Sequence, residues 1–547
     1  VADASVARRP PAVFDAADAT PAAETVDHVA SSMMAGTGFD RRVLLPPRNE
    51  APLPTEVDVV VVGGGLLGLL AAATLEADGR AVVVLEQRAT VGGIWSMYAN
   101  STSQVNSSEG GYCFKEYLPH DSPRKREPNR DHSTAAEVLK DAAALGASLA
   151  ELTHTQVRVE QVLGTGGEYH VVASRLDSGT VGKGAAVIRA KGVILAINDR
   201  VGMPRPLQLP GAATFGGEVA DGTADALAHV DWRGKRVVVY GMGAFAVENV
   251  RTALEAGAAH VTVVARRLGT VCPKMIDYLN FVKPWDGEYR HDTSTNVKQL
   301  KAWRSLYQAS GAAPPECWPG KIKHDGHTIS VSDIWFIASH MGKLDTKVGT
   351  LERMVAGGVV LSDGATLEAD VVVGCIGFER NTTFCEQLTG RSMVHHSNYL
   401  DKNLMYLADA EIDEGAFNFM FGSSVLEYAK FYTKVYAEGF ARPSALGPLL
   451  WGDGVPACAI KERKWSQYIE TARELMRGDP AIAAAAKAQV EARTAHFHAT
   501  MPPESFVAVN RREWEELHTR LNGGKPLPRE LHLPYFFGEA AAWCVPK

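Results

Sequence analysis

The chain has 547 residues, which is enough for three or four domains with substantial hydrophobic cores. Its 56 Lys and Arg residues against 63 Asp and Glu residues give a net charge of −7, which argues against nucleic acid or an anionic membrane surface as the main partner. The content of 46% hydrophobic and 22% charged residues is typical of a globular protein and excludes a predominantly disordered chain.

The cysteines and the apolar runs indicate the environment of the protein. The seven cysteines are scattered, with no CxxC motif and no Cys/His cluster at zinc spacing, which predicts a reducing compartment and no metal site. The longest apolar run, residues 57–75, contains Asp58 and three consecutive glycines, so a strand, a turn and a helix explain it better than a membrane span. We therefore expect a soluble protein. A cytoplasmic location is favoured, and import into an organelle is left open.

The elements follow one another in a recognisable order along the chain. Residues 1–56 are rich in Ala and Pro and lack a periodic apolar pattern, which predicts a peripheral N-terminal extension. From Val57 onward, an apolar strand, a glycine turn, a helix of small apolar residues and a second apolar strand form a βαβ unit. The same order returns over residues 235–267. The sequence therefore predicts an α/β fold with two Rossmann-like dinucleotide-binding domains.

The first glycine turn contains Gly63, Gly65 and Gly68 at GxGxxG spacing. This spacing allows a tight turn, a close approach of the backbone to a pyrophosphate, and close packing of the helix on the strand. The N–H groups and the dipole of the helix that follows favour the phosphate charge. Glu86 ends the second strand, where its carboxylate can accept hydrogen bonds from both ribose hydroxyls, and Gln87 beside it is a further cofactor-binding candidate. This context argues against a turn that only packs a helix on a sheet.

The second glycine turn contains Gly241, Gly243 and Ala246, the GxGxxA variant. Its second strand ends at Arg266 and Arg267, where the first unit has an acid. A carboxylate repels a 2′-phosphate and guanidinium groups bind it, so the sequence favours NADPH over NADH. The alternative is that the two arginines are simply solvated. One acidic and one basic ribose position in one chain predict two different dinucleotides, FAD and NADPH.

With these two turns in this order, the chain resembles the flavin-containing monooxygenases, the class B single-component flavoprotein monooxygenases. The resemblance spans roughly residues 57–432 and adds three segments to the glycine turns. These segments are GGIW at residues 92–95, SQVNSSEGGYCF around Asn106, and VVVGCIGFERN around Gly377.

The resemblance implies an FAD domain in two segments with the NADPH domain inserted, and a substrate that meets the flavin at their junction. The implied boundaries are an N-terminal extension at 1–56, the first FAD segment at 57–205, the NADPH domain with an aromatic-rich insert at 206–359, the second FAD segment at 360–460, and a C-terminal helical extension at 461–547.

The resemblance also implies roles for individual residues. Gly93 and Trp95 would lie along the FAD phosphates and the flavin, and Gly377 would belong to the cofactor site. Asn106 matches the active-site Asn of the family and is the catalytic candidate, with an Asn-Ser turn as the alternative. Ser423 precedes an amphipathic run, and it either caps that helix or places the helix start at the flavin pyrimidine ring.

One departure from the family pattern bears on the reaction. In the linker FGGEVAD, Asp221 stands where the family has a histidine that is associated with nicotinamide placement and Baeyer–Villiger activity. That reaction is therefore disfavoured, whereas the two dinucleotide sites are unaffected.

The resemblance implies an FAD- and NADPH-dependent monooxygenase that forms a C4a-hydroperoxyflavin and oxygenates a soft nitrogen or sulfur nucleophile of a small organic molecule. Its partners are that substrate and O2, and a homodimer is left open. The alternatives are a Baeyer–Villiger, hydroxylating or halogenating relative, and a redox sensor that binds nucleotides without turnover. An aromatic-rich segment either lines the substrate cavity or forms interdomain core; it contains Tyr278, Phe281, Trp285, Tyr289, Trp303, Tyr307 and Trp318.

Overall fold

The computed structural model describes most of the chain up to residue 406 and one helical region near the C-terminus. The described residues are 33–34, 37–47, 49–106, 115–127, 130–165, 167–177, 180–197, 204–282, 297–315, 330–379, 384–390, 399–401, 404–406, 480, 484, 495, 499, 502–527 and 531. None of the helices in these residues is both long and apolar enough to cross a membrane.

Strands and helices alternate through both halves of the described chain. Strands β1 to β20 are Met33–Met34, Phe39–Asp40, Glu56–Val62, Val82–Leu85, Thr153–His154, Val157–Thr165, Glu168–Asp177, Thr180–Leu195, Glu218–Asp221, Arg236–Tyr240, His260–Ala265, Val271–Cys272, Ser330–Val331, Leu344–Val348, Leu351–Val355, Gly358–Leu361, Thr366–Glu368, Val371–Gly374, Tyr399–Asp401 and Leu404–Tyr406. Helices α1 to α10 are Leu66–Ala77, Gly93–Tyr98, Pro123–Arg126, Ala135–Ser148, Ala244–Glu255, Lys274–Val282, Val297–Ser310, Asp333–His340, Phe384–Thr389 and Pro503–Leu521. Short 3-10 helices lie at Arg41–Leu44, Lys115–Tyr117 and Ala212–Thr214.

The first sheet has the strand order β19-β20-β8-β3-β4-β5, with β6 and β7 attached as antiparallel neighbours beyond β8. Its central strand β3 pairs in parallel with β4 and β8. Val59 and Val61 of β3 pack in a core with α1 and α4, whereas Val60 and Val62 pack in a core with β6, β7 and β8. Burial on both faces explains why this strand is a nearly continuous apolar run.

The second sheet has the order β14-β11-β10-β18-β9, and every pair in it is parallel. Val237 and Val239 of β10 face the core formed with α5 and α8, and Val238 faces a second core formed with β15 and β16. The predicted pair of Rossmann-like domains, with the second inserted in the first, is confirmed.

One predicted boundary is wrong. The division at residues 359/360 assigned strand β18 to the first domain, but Val371 of β18 pairs with Val237 of β10 in the second sheet. The chain rejoins the first sheet only at β20, which pairs in parallel with β8. A buried parallel strand has the same apolar sequence in either sheet, so its composition does not reveal which sheet it joins.

The described part of the N-terminal extension is not merely peripheral. Met34, Phe39 and Leu44 are buried in the core that contains α1 and α4. The backbone N–H of Val91 donates to the carbonyl of Leu44 at 3.0 Å. Residues 33–34 and 37–47 therefore contribute to the first domain.

The aromatic-rich segment forms core wherever its side chains are described. Tyr278, Trp303 and Tyr307 are at most 3% exposed and lie in the core of the second domain. The ring of Tyr278 stacks on Phe506 of α10 at a centroid distance of 3.9 Å, so α10 packs on this domain. For these three residues the prediction of a substrate cavity is wrong. The side chain of Phe281 and the residues Trp285, Tyr289 and Trp318 lie outside the described set.

Candidate functional site

The first glycine turn joins β3 to α1. Gly63 has φ = +109°, and a Cβ there would lie 2.5 Å from the carbonyl oxygen of Ala196, while a Cβ on Gly68 would lie 1.9 Å from the carbonyl oxygen of Gly63. Both positions therefore require glycine. Gly65 is the N-cap of α1, and no side chain caps this helix start. The N–H groups of the first turn of α1 can therefore bind an anion, and the turn fits a dinucleotide diphosphate.

Glu86 ends β4 beside this turn and is 8% exposed. Its Oε2 accepts the N–H of Gly64 at 2.5 Å, and its Oε1 accepts the N–H of Arg88 at 2.7 Å. Burial raises the pKa of Glu86 above its usual range, and these two hydrogen bonds oppose that shift. Each carboxylate oxygen keeps a second lone pair for a hydroxyl donor. The neighbouring Gln87 is exposed.

The GGIW segment lies directly against the first turn. Gly92 N–H donates to the carbonyl of Gly64 at 3.0 Å, and a Cβ on Gly93 would lie 2.9 Å from the Cα of Gly65. Trp95 in α2 is half-buried and packs on the core of the first domain. The structure thus brings the first glycine turn, Glu86 and GGIW together at one end of the first sheet.

The second glycine turn joins β10 to α5. Gly241 has φ = +132°, and Gly243 is the N-cap of α5, again with no capping side chain. A Cβ on Gly243 would meet nothing within 4 Å, so open space lies beside this helix start. A backbone N-terminus with open space beside it also fits a dinucleotide diphosphate.

Arg266 and Arg267 follow β11 and are both exposed. Strand β11 runs parallel to β10, with Val264 paired to Tyr240, so the arginines lie at the sheet edge where the second glycine turn begins. This placement agrees with a role at the ribose end of a dinucleotide bound on Gly243.

The chain crosses between the two domains at Phe378, which follows Gly377. The Phe378 ring lies 5.1 Å from Tyr98 at the end of α2 and 5.6 Å from Phe245 in the first turn of α5. The carbonyl of Gly377 accepts the N–H of Arg205 at 3.0 Å. The sequence analysis missed Phe378, because a single phenylalanine after a strand carries no signal of two partners.

Residues 100–106 form a segment that lies between the domains. Asn100 Nδ2 donates to the carbonyl of Gly222 at 3.2 Å, and its Oδ1 accepts the N–H of Asp225 at 2.9 Å. At the other end, Asn106 Oδ1 accepts the N–H of Val331 in β13 at 3.2 Å. The structure therefore places Asn106 where the first domain meets the second.

Asp221 ends β9 on the second-domain side of this junction. Its Oδ1 would lie 3.1 Å from a Cβ on Gly374. Burial raises the pKa of the Cys375 thiol, and the negative charges of Glu248 and Asp221 raise it further. A cavity of about 440 Å³ opens beside Asp221, lined in part by Asn100 and Arg251.

A buried histidine forms a further contact across the junction. His132 is 1% exposed; its Nδ1 lies 2.7 Å from Oδ2 of Asp131 and its Nε2 lies 3.1 Å from Oδ2 of Asp277 in α6. Burial alone would lower the pKa of His132, but the two carboxylates raise it to about 9. His132 is therefore protonated at neutral pH and bridges the domains as an ion triad.

The sequence also led to predictions about Ser423 and about metal ions. Ser423 and the helix predicted after it lie outside the described residues. Within the described ranges, no group of three or more His, Cys, Asp or Glu side chains could hold a metal ion.

Comparison with known proteins agrees with the two-turn arrangement. The family described as NAD(P)-binding Rossmann-like domain matches residues 61–120, and the family described as putative NAD(P)-binding matches residues 228–307. The FAD-containing monooxygenase EthA of Mycolicibacterium smegmatis is 24% identical over 366 residues, which cover 58% of this chain and 69% of EthA. The probable FAD-binding monooxygenase AlmA of Acinetobacter baylyi is 23% identical over 365 residues, which cover 59% of this chain and 68% of AlmA.

The fold is also similar to that of solved monooxygenases. An oxidized steroid monooxygenase bound to NADP superposes with a TM-score of 0.54 at 16% identity, covering 79% of this chain and 99% of that chain. This likeness extends across both Rossmann-like domains. The chain is therefore similar in sequence to FAD-containing monooxygenases, and it has the two Rossmann-like dinucleotide-binding domains that this similarity implies.

Proposed function

We propose that the chain binds FAD at the first glycine turn and NADPH at the second, and oxygenates a nitrogen or sulfur atom of a small organic molecule. One observation carries this proposal. Two helix starts without capping side chains occur in one chain, and the first has a buried carboxylate, Glu86, at its ribose position, whereas the second has the exposed Arg266 and Arg267. The names of the relatives EthA and AlmA, FAD-containing and FAD-binding monooxygenases, support the FAD and monooxygenase parts of this proposal.

At the first turn, the N–H groups at the start of α1 bind the diphosphate and Glu86 orients the adenosine ribose. Gly93 packs on Gly65 and extends the backbone surface of this site. FAD held there would supply the redox chemistry, with NADPH as the hydride donor and O2 as the source of the transferred oxygen atom and of one water. The reaction consumes one NADPH, one O2 and one proton for each oxygenated product.

At the second turn, the N–H groups at the start of α5 bind the diphosphate of NADPH. The guanidinium groups of Arg266 and Arg267 bind its 2′-phosphate through charge-assisted hydrogen bonds. NADH lacks that phosphate, so these two residues discriminate between the two nicotinamide dinucleotides.

Asn106 is proposed to form hydrogen bonds at the reacting part of the flavin. Its Oδ1 accepts the Val331 N–H, which leaves the amide NH2 group as the donor. An amide does not titrate, so this donor stays constant across the working pH range. Its position between the domains is consistent with a site where reductant and substrate meet the flavin.

Asp221 favours oxygenation of nitrogen or sulfur over insertion of oxygen into ketones. This carboxylate stands where the family linker has a histidine, and its charge acts on the half-buried Cys375. A carboxylate cannot donate a hydrogen bond when ionised, so it cannot repeat the donor role of an imidazole.

A substrate panel tests the proposal. The purified protein is incubated with NADPH and a matched set of tertiary amines, thioethers and cyclic ketones, and products are identified by mass. We expect a yellow protein, a gain of one oxygen atom on amines or thioethers, and unreacted ketones. Ketone products without amine or thioether products would replace this proposal with oxygen insertion, and a yellow protein that does not oxidise NADPH would indicate a non-catalytic binder.

A variant tests the role of Asn106. Asn106→Ala should keep FAD but divert reducing equivalents, so that hydrogen peroxide per NADPH rises and product per NADPH falls. Asn49→Ala is the control, because Asn49 is remote in sequence and donates to the carbonyl of Glu151 in the first domain. Unchanged product per NADPH in Asn106→Ala would make Asn106 a structural residue.

A further inference from the structure

Glu248 lies in α5, the helix that begins at the second glycine turn, yet its carboxylate contacts the first domain. Its Oε2 accepts the hydroxyl of Ser103 at 2.7 Å. The carboxylate also accepts the backbone N–H of Gln104. Ser103 and Gln104 belong to the segment 100–106 that ends at Asn106.

We infer that Glu248 is a positioning residue for Asn106, because it holds residues 103–106 against the helix that starts at the NADPH turn. This inference rests on the proposed function. Under this inference, Glu248 of the NADPH-binding domain determines where the Asn106 amide lies at the flavin.

The first domain holds the other side of the same segment. Val105 N–H donates to the carbonyl of Ser133 at 2.9 Å, and Ala135 N–H donates to the carbonyl of Ser103 at 2.8 Å. Gln104 forms an antiparallel bridge with Thr134. These bonds determine where the segment lies on the first domain, and Glu248 provides a charged acceptor from the second domain.

The distance from Gly243 to Glu248 makes this contact relevant to reductant binding. Five residues of α-helix span about 7.5 Å, so Glu248 lies little more than one turn from the helix start that would bind the diphosphate. The helix is a rigid connection between these two points. The helix start that would bind the diphosphate and the contact with residues 103–104 therefore lie on one rigid element.

Several ionisable groups face Glu248. Arg251 on the same helix favours its charged form, although the Arg251 guanidinium also donates to Glu255 at 2.9 Å. Beyond the helix, the pKa of the Cys375 thiol is raised by burial and by the charges of Glu248 and Asp221. Among the described groups named in this paragraph, only Arg251 carries a positive charge.

The two hydrogen bonds from the segment also compensate the burial of the Glu248 carboxylate. Burial raises the pKa of Glu248 to about 7, while the Ser103 hydroxyl, Arg251 and the Gln104 N–H favour the ionised form. An ionised carboxylate accepts both hydrogen bonds from the segment.

Hydrogen exchange of the flavin-loaded protein measures this contact directly. Deuterium uptake is followed by mass spectrometry for peptides that contain residues 100–106, at one pH and after correction for the intrinsic rate. In Glu248→Gln we expect at least about tenfold faster exchange of this segment than in the wild type, because the segment loses a charged acceptor.

Two other variants complete the design. Ser103→Ala removes the partner from the opposite side and should give the same exchange as Glu248→Gln, with no additional effect when the two are combined. Glu515→Gln is the control. Glu515 is on α10 and pairs with Arg511, and its substitution should leave the exchange of residues 100–106 at the wild-type value.

The yield of hydrogen peroxide during turnover distinguishes a residue that positions Asn106 from one that only packs. Glu248→Gln should increase hydrogen peroxide per NADPH, as Asn106→Ala does. Unchanged exchange in Glu248→Gln would overturn the inference and leave the proposed function intact. Faster exchange with unchanged peroxide, in a protein where Asn106→Ala does raise peroxide, would also overturn it. Unchanged peroxide in Asn106→Ala would overturn the role of Asn106 together with this inference.

Discussion

Gly241 lies so close to Cys375 that a Cβ on Gly241 would stand 2.1 Å from the Cys375 carbonyl oxygen. The two residues follow neighbouring parallel strands, β10 and β18, and Cys375 N–H donates to the carbonyl of Tyr240 at 2.8 Å. Gly243, two residues further on, has open space where its Cβ would lie. The second glycine turn therefore combines one glycine required by packing with one whose missing side chain leaves room for a ligand.

This difference predicts opposite effects for two alanine substitutions. Gly241→Ala should lower the free energy of unfolding by more than about 3 kcal/mol, because it adds a side chain at φ = +132° and a clash with backbone. Gly243→Ala should change stability by less than about 1 kcal/mol yet weaken NADP⁺ binding tenfold or more, since its methyl group would fill the space beside the helix start. Urea unfolding and calorimetric titration measure the two quantities. Undiminished NADP⁺ affinity in Gly243→Ala would place the diphosphate elsewhere.

Arg266 and Arg267 should determine the preference for NADPH. Replacing both with Ala should raise the KM for NADPH by about 10–100-fold, the effect of losing charge-assisted hydrogen bonds, and leave the KM for NADH nearly unchanged. Steady-state kinetics with each dinucleotide provides the measurement. Arg233→Ala is the control, because Arg233 is also exposed but precedes β10 and so lies at the opposite edge of the sheet. Equal changes for NADPH and NADH would remove the 2′-phosphate role.

Glu86→Gln should weaken FAD binding by about 10–100-fold, since ribose hydroxyls lose a charged acceptor. The wild type should bind FAD more tightly as the pH rises. Burial raises the pKa of Glu86 in the free protein, whereas hydroxyl donors favour the ionised form, so binding releases a proton. Fluorescence titration of the apoprotein at several pH values tests both points. The control is Glu76→Gln, because Glu76 is exposed at the far end of α1. If Glu86→Gln kept the wild-type pH dependence of FAD binding, the role of Glu86 would be contradicted.

His132 should make stability depend on pH in the alkaline range. Its pKa is about 9 in the folded protein and 6.5 as the model-peptide value, so the folded state binds the extra proton between these pH values. Its contribution is complete below pH 6.5 and is lost as the pH rises through 9. Each pKa unit corresponds to about 1.4 kcal/mol, so the effect is of order 3 kcal/mol.

The matched variant for this prediction is His132→Asn. His132 has φ = +57°, a conformation that Asn tolerates better than most residues, and Asn does not titrate. Urea unfolding at pH 6, 7.5 and 9 should show a smaller decrease in stability for the variant. The same decrease in both proteins would mean that His132 does not carry the effect.

The two βαβ units could be predicted because their signals are local. The apolar run of β3, the glycines from Gly63 to Gly68 and the acid at Glu86 lie within one short stretch of chain, and the geometry of each turn depends on its own residues. The same holds for Gly241, Gly243 and the two arginines after β11. Residue type at these positions determines backbone conformation directly, which is why the fold class and both glycine turns follow from the sequence.

Long-range contacts were decided only by the tertiary structure. The apolar sequence of β18 is compatible with either sheet, and pairing with β10 places it in the second. The bond from Ser103 to Glu248 joins residues 145 positions apart, and so does the contact between His132 and Asp277. A side chain determines what kind of partner it accepts, but which partner it meets depends on how the two domains pack. For that reason the sequence alone identified the two dinucleotide turns, whereas the junction between them became visible only in the folded chain.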